Sequence, residues 1–182
     1  MLHNTALLII DMQKGSFTPK TPRYNAKGII DSITKLTTLC HASELPVIYI
    51  QHDGTGTGEL EKHTQNWEIL EAFSIHTTDI IIHKRANDAF YDTTLEATLK
   101  ALNINNLIIT GCATDFCVAS TIQSALIKNY NITVVEDGHT TADRPYVNAE
   151  NLIKHYNWIW QNLTPTEGQI TVKNFEHLKG DF

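Results

Sequence analysis

Along its length the chain alternates short unbroken apolar runs with segments of helical periodicity, and that alternation leaves few folds open. ALLIID (6–11), VIYIQ (47–51), DIIIHK (79–84), NLIITG (106–111) and ITVVED (132–137) read as strands, with QITV (169–172) a candidate sixth. Unbroken apolar runs of this length are typical of strands covered on both faces. Between them, residues 26–43, 93–103, 115–129 and 145–162 carry apolar side chains at helical spacing, with Pro145 allowed in a first turn. Strand, helix, strand in this order predicts right-handed crossovers. The expected fold is therefore α/β: a three-layer αβα, Rossmann-like domain with a mostly parallel sheet of about six strands. With 182 residues, one domain spanning 1–182 is expected.

Charge narrows the partners. The formal net charge is −6, and no run of Lys or Arg breaks the acidic background. That argues against nucleic acid and anionic membrane and favours a small-molecule or protein partner, with a small-molecule substrate the expectation. No stretch approaches a membrane span, and the first residues lack the basic flank and cleavage site of a secretory signal. Three cysteines, Cys40, Cys112 and Cys117, are too few and too odd for a disulfide framework. A reduced, cytoplasmic setting is the expectation.

In an open parallel sheet, ligands bind beyond the carboxyl ends of the strands. Asp11 closes the first run, Lys84 closes the third, and Cys117 lies just past the fourth, in the turn opening a helix. Residues distant in sequence are thus predicted to share one crevice. A thiol attacks only as thiolate, and both a helix N-terminus and a neighbouring Lys favour that form. Asp11 suits a general base that returns the proton to a leaving group, and backbone N–H groups of the turn GCATDFC (111–117) suit an oxyanion. Each residue also has an ordinary reading: Cys117 as a small core hydrophobe, Asp11 as a turn cap, Lys84 as a solvated edge charge.

The segments ALLIIDMQKGSF (6–17), HKRANDAFYDTTLEATLKALNINNLIITG (83–111), CATDFCVASTIQSAL (112–126) and VVEDGHTTAD (134–143) together resemble the isochorismatase-like cysteine hydrolase superfamily, which includes nicotinamidases and related amidases. The resemblance implies an Asp–Lys–Cys triad at Asp11, Lys84 and Cys117. It implies a cis peptide at Cys112–Ala113, and oxyanion donors at the N–H groups of Ala113 and Cys117. It also implies a homodimer or larger homo-oligomer. The expected activity is hydrolysis of a small amide or ureido C–N bond through a thioester, with no cofactor.

At QHDGTGTGELEKH (51–63) the sequence departs from the nicotinamidases. His52 stands where their metal-binding Asp is found and Gly54 where its partner His is found. His52, Asp53 and His63 read as polar loop residues, because catalytic zinc needs three well-placed ligands. A metal-assisted nicotinamidase is therefore an alternative, as is a thiol redox or sensor protein using Cys117 and Cys112. Gln13, Phe17, Trp67 and Phe116 are candidate substrate-binding residues, as pocket walls or ordinary packing. Asp115 is expected to be a helix cap or first-turn acid and to point away from Cys117, Cys112 to be buried, and His139 to be a polar loop residue. Trp158 and Trp160, two apart on a helix, are expected to face different sides, one of them toward core.

Overall fold

A computed structural model describes residues 2–182. Six strands, β1 (Thr5–Ile10), β2 (Val47–His52), β3 (Ile80–Lys84), β4 (Asn106–Cys112), β5 (Asn131–Thr140) and β6 (Ile170–Lys173), form one sheet. Its order is β3-β2-β1-β4-β5-β6, and every neighbouring pair is parallel. The helices are α1 (Ala26–Ala42), α2 (Leu95–Ala101), α3 (Ala119–Ile127), α4 (Ala149–Gln161) and α5 (Phe175–Lys179).

The strand alternation sorts the core into two layers. Ala6, Leu8 and Ile10 of β1 join a cluster with α2, α3 and α4, contributing Leu95, Leu99, Ile122, Ala125 and Trp160. Leu7 and Ile9 face the other way, onto Ile29, Ile33, Leu36 and Cys40 of α1 and Phe175 and Leu178 of α5. Successive strand side chains point to opposite faces, so a run buried on both sides has to be apolar throughout. The three-layer αβα reading therefore holds, with a sheet that is wholly parallel. Trp160 is buried in this core while Trp158 is 61% exposed, as their spacing requires.

Three boundaries differ from expectation. β5 runs on to Thr140, because a register shift between Ile109 and Gly111 lets Gly111 and Cys112 pair with His139 and Thr140. α4 begins only at Ala149, where the Asn148 side chain accepts from Asn151 N–H, so Pro145 precedes the helix. A short terminal helix, α5, was not evident from periodicity; the Asn174 side chain caps it by accepting from His177 N–H. Among the described residues, no helix is long and apolar enough to cross a membrane.

The chain turns from building outward through β2 and β3 to building outward through β4, β5 and β6 at the β1–β4 seam. That reversal opens a crevice at the carboxyl ends of these two strands. Gly111 makes the seam possible. Its φ is +127°, and a Cβ there would meet Ile10 O at 2.2 Å and Ile10 N at 2.6 Å. Gly111→Ala is expected to destabilise the fold by at least about 3 kcal/mol, read as a lower denaturant midpoint, since rigid backbone must move.

Candidate active site

Three strand ends, those of β1, β3 and β4, bring Asp11, Lys84 and Cys117 toward the crevice. Asp11 follows β1 in the left-handed region, at φ 49°, with its N–H donating to Ile50 O at 2.9 Å. Asp tolerates this conformation better than most residues. Lys84 is the last residue of β3 and reaches inward across the end of β2. Cys117 sits in one turn of π-helix, Thr114–Val118, between β4 and α3. The peptide bond entering that turn, Cys112–Ala113, is cis.

Lys84 binds the group together. Its Nζ lies 2.7 Å from Asp11 Oδ2, 2.9 Å from Ala86 O, 3.3 Å from Cys117 Sγ and 3.3 Å from His52 Nδ1. An ammonium has three hydrogens, so the two longer contacts compete for the last one. Burial opposes charge on Lys84, yet Asp11 and Cys117 outweigh it and hold the Lys84 pKa above its ordinary value. Asp11 Oδ1 is buried with no hydrogen-bond partner, so the carboxylate keeps one unused acceptor inside the site.

Burial pushes the Cys117 pKa up, and the Asp11 carboxylate pushes the same way; Lys84 pulls it down by less. The Cys117 thiol also donates to Asn87 Oδ1 at 3.6 Å. Cys112 is 2% exposed and burial pushes its thiol up to about 12, which withholds the thiolate that sulfenate or disulfide chemistry requires. All three cysteines are free.

A cleft of about 560 Å³ opens over the triad, lined by Asp11, His52, Cys112, Ala113, Phe116 and Cys117 among others. Phe116 is 47% exposed on its rim, with the Arg144 guanidinium 4.9 Å from the ring centre. The other candidate pocket residues lie elsewhere. Gln13 is fully buried as a latch between loops: its Nε2 donates to His52 O and Trp67 O, and its Oε1 accepts from His52 N–H. Phe17 packs on the α1 side of the core. The Trp67 ring lies 5.5 Å from that of His63 and 5.2 Å from that of His83, toward edge strand β3, rather than in the cleft.

The loop residues weighed for metal diverge. His52 turns Nδ1 to Lys84, Asp53 accepts from Thr55 N–H and Oγ1–H, and His63 meets the Trp67 ring edge-on. Burial and the Lys84 charge hold His52 below its ordinary pKa, so it is neutral near pH 7. These residues do not fit a nicotinamidase-type metal. Among the described residues, no three His, Cys, Asp or Glu side chains are grouped to hold one.

Asp115 points away from the thiol, as an acid in the first turn rather than a side-chain cap. It accepts from Arg144 at 2.7 and 3.0 Å and from Thr141 Oγ1–H at 2.6 Å. His139 is a larger departure. It is fully buried in β5, its Nδ1 2.9 Å from Thr114 Oγ1 and its Nε2 2.9 Å from Asn157 Oδ1. The Asn157 amide donates to Glu136 O, so its oxygen faces the ring; Nε2–H donates and Nδ1 accepts from Thr114 Oγ1–H. A neutral His139 thus ties the turn carrying Cys117 to α4.

Burial lowers the His139 pKa to about 4. The unfolded chain therefore takes up this proton first, near pH 6.5. Stability is expected to be complete above pH 6.5, to fall by about 3 kcal/mol as the pH drops toward 4, and to change no further below that on account of this group. Urea unfolding across this range checks the slope, and His139→Gln should flatten it.

Comparisons with known proteins agree with this architecture. A solved structure described as an isochorismatase family protein superposes with a TM-score of 0.85 at 28% identity, covering 94% of this chain and 99% of that one. N-carbamoylsarcosine amidase from Thermoplasma acidophilum superposes at 0.75 with 25% identity, covering 94% and 96%. In sequence, the ureidoacrylate amidohydrolase of Acinetobacter baylyi is 24% identical over 95% of this chain and 84% of its own length. A streptothricin hydrolase of Streptomyces noursei is 27% identical over 77% of this chain, which spans about half of that longer protein (51%). An isochorismatase domain matches residues 5–167, taking in five of the six strands together with Asp11, Lys84 and Cys117, and the chain accordingly belongs to the isochorismatase family.

Proposed function

We propose that this protein is a cysteine amidohydrolase that cleaves a small amide or ureido C–N bond through a thioester, without a metal. The observation that carries the reading is the placement of one buried ammonium within 2.7 Å of a carboxylate and 3.3 Å of a thiol, under an open cleft. The names of its relatives, an amidase and an amidohydrolase acting on carbamoyl and ureido compounds, support the same bond type.

Asp11 takes the Cys117 proton as sulfur attacks the carbonyl carbon. Lys84 holds the new charge, and the N–H groups of Ala113 and Cys117 receive the oxyanion. Collapse breaks the C–N bond, and Asp11 returns its proton to the departing nitrogen. Water, deprotonated by Asp11, then attacks the thioester; the acid leaves and sulfur regains its proton.

The protein is further read as a cytoplasmic homodimer or larger assembly, with the exposed Trp158 face of α4 a contact region. Intact-mass spectrometry during incubation with small amides and ureides tests the chemistry. A transient acyl mass on the wild type, absent in Cys117→Ala and unchanged by chelator, is the expected result. Turnover abolished by chelator would return the nicotinamidase-type alternative, and peroxide-driven Cys112–Cys117 bonding without turnover would favour the redox one.

A further inference from the structure

The charges around the cleft do not balance. Asp11 is paired with Lys84, and Asp115 with Arg144, whose fork is occupied on both oxygens. Arg23, on the segment between β1 and α1, lines the same cleft. Its Nε donates to Ser16 O at 2.7 Å, which fixes the guanidinium plane while leaving its terminal nitrogens unused. Arg23 is half-buried and pairs with no carboxylate among the described residues. The other two unpaired charges of the cleft, Lys20 and Glu59, are exposed, where water screens them.

A half-buried guanidinium held by one nitrogen, with two free, is organised for bidentate capture of a planar anion. It is also costly to keep in a partly desolvated position without a counter-charge. We infer that Arg23 is a specificity-determining residue that receives a carboxylate of the substrate, so that the compound hydrolysed is a small amide or ureide that also carries a free carboxylate. This rests on the hydrolase reading for the chemistry, but the anion site stands on its own geometry. A neutral amide would fill the cleft and leave Arg23 unanswered, and a cationic one would be repelled by it.

Binding in a Cys117→Ala background separates the anion site from the chemistry. N-carbamoylglycine and N-carbamoyl-β-alanine are titrated by calorimetry, each against its own primary amide, and ammonia release by the wild type is measured with the same four compounds. At least one acid is expected to bind about tenfold or more tightly than its amide. Arg23→Gln should erase that difference, Arg23→Lys should restore part of it, and Lys20→Gln should leave it in place. Equal binding of acid and amide, no binding of either acid, or a preference that survives Arg23→Gln overturns the inference. Acid-selective binding lost with Arg23→Gln, together with no turnover in the wild type, would uphold the anion site while counting against the hydrolase reading. Turnover without acid selectivity would do the reverse.

Discussion

Cys117→Ala is expected to lower turnover by about 10⁴-fold or more while leaving the folded state intact. The reasoning is that every step of the scheme passes through sulfur, and neither Asp11 nor Lys84 can replace it. Cys117 is partly buried at the floor of the cleft, and its side chain packs only at the edge of the core. Removing it deletes two weak contacts, to Lys84 and Asn87, and leaves the ion pair beneath it in place. Cys117→Ser sharpens the test, because it keeps the shape but supplies a far poorer nucleophile at this position. Substantial activity in either variant, measured as ammonia release, would refute the thioester scheme.

The second large effect concerns the ion pair. Lys84→Met is expected to destabilise the protein by about 3–5 kcal/mol, since it strands the Asp11 carboxylate in a dry site. The side chains of Lys84 and Asp11 are only 0% and 6% exposed. Asp11→Asn alone should also destabilise, by leaving the ammonium without its closest counter-charge. The double variant Asp11→Asn/Lys84→Met removes both charges together and should recover most of the lost stability. Activity should follow the opposite logic. All three variants should lose about 10³-fold or more in turnover, because the base, the charge support or both are gone. A double variant that regains stability but not activity assigns the pair to chemistry. One that regains neither would assign it to the architecture of the strand ends.

The sheet and the meeting of Asp11, Lys84 and Cys117 at its strand ends were legible because both are written in periodicity and position. Unbroken apolar runs announce strands covered on both sides, and strand ends of a parallel sheet announce the crevice. Residues whose role depends on side-chain direction were not legible. Gln13 and Trp67 carry the composition of pocket residues, yet Gln13 is drawn inside to satisfy the backbone of two crossing loops, and its bond to Trp67 O takes part in that latch. Arg144 and Asp115 are 29 residues apart and meet only through folding. Asn87, which accepts from the thiol, lies in a loop whose path no periodicity sets. His139 escaped because β5 overruns its apolar stretch. The only trace in sequence was Gly138, where a Cβ would strike the Val135 side chain at 2.7 Å, a sign of a tightly packed irregular strand. The sequence placed a lysine near the thiol but carried no sign of how strongly burial opposes it.

The division of labour around the cleft bears on how such a protein diversifies. Asp11 and Lys84 are placed by the sheet, and Cys117 by the turn leaving β4. The long excursion between β2 and β3 contributes Gly58, Glu59, Leu60 and Asn66 to the cleft wall, but no member of the triad. Insertions and exchanges in that excursion therefore remodel which molecules fit while the distances between the reacting atoms stay set by strand spacing. Substrate range and bond-breaking capacity are thus free to evolve at different rates, the former through this excursion and through the segment between β1 and α1 that carries Arg23.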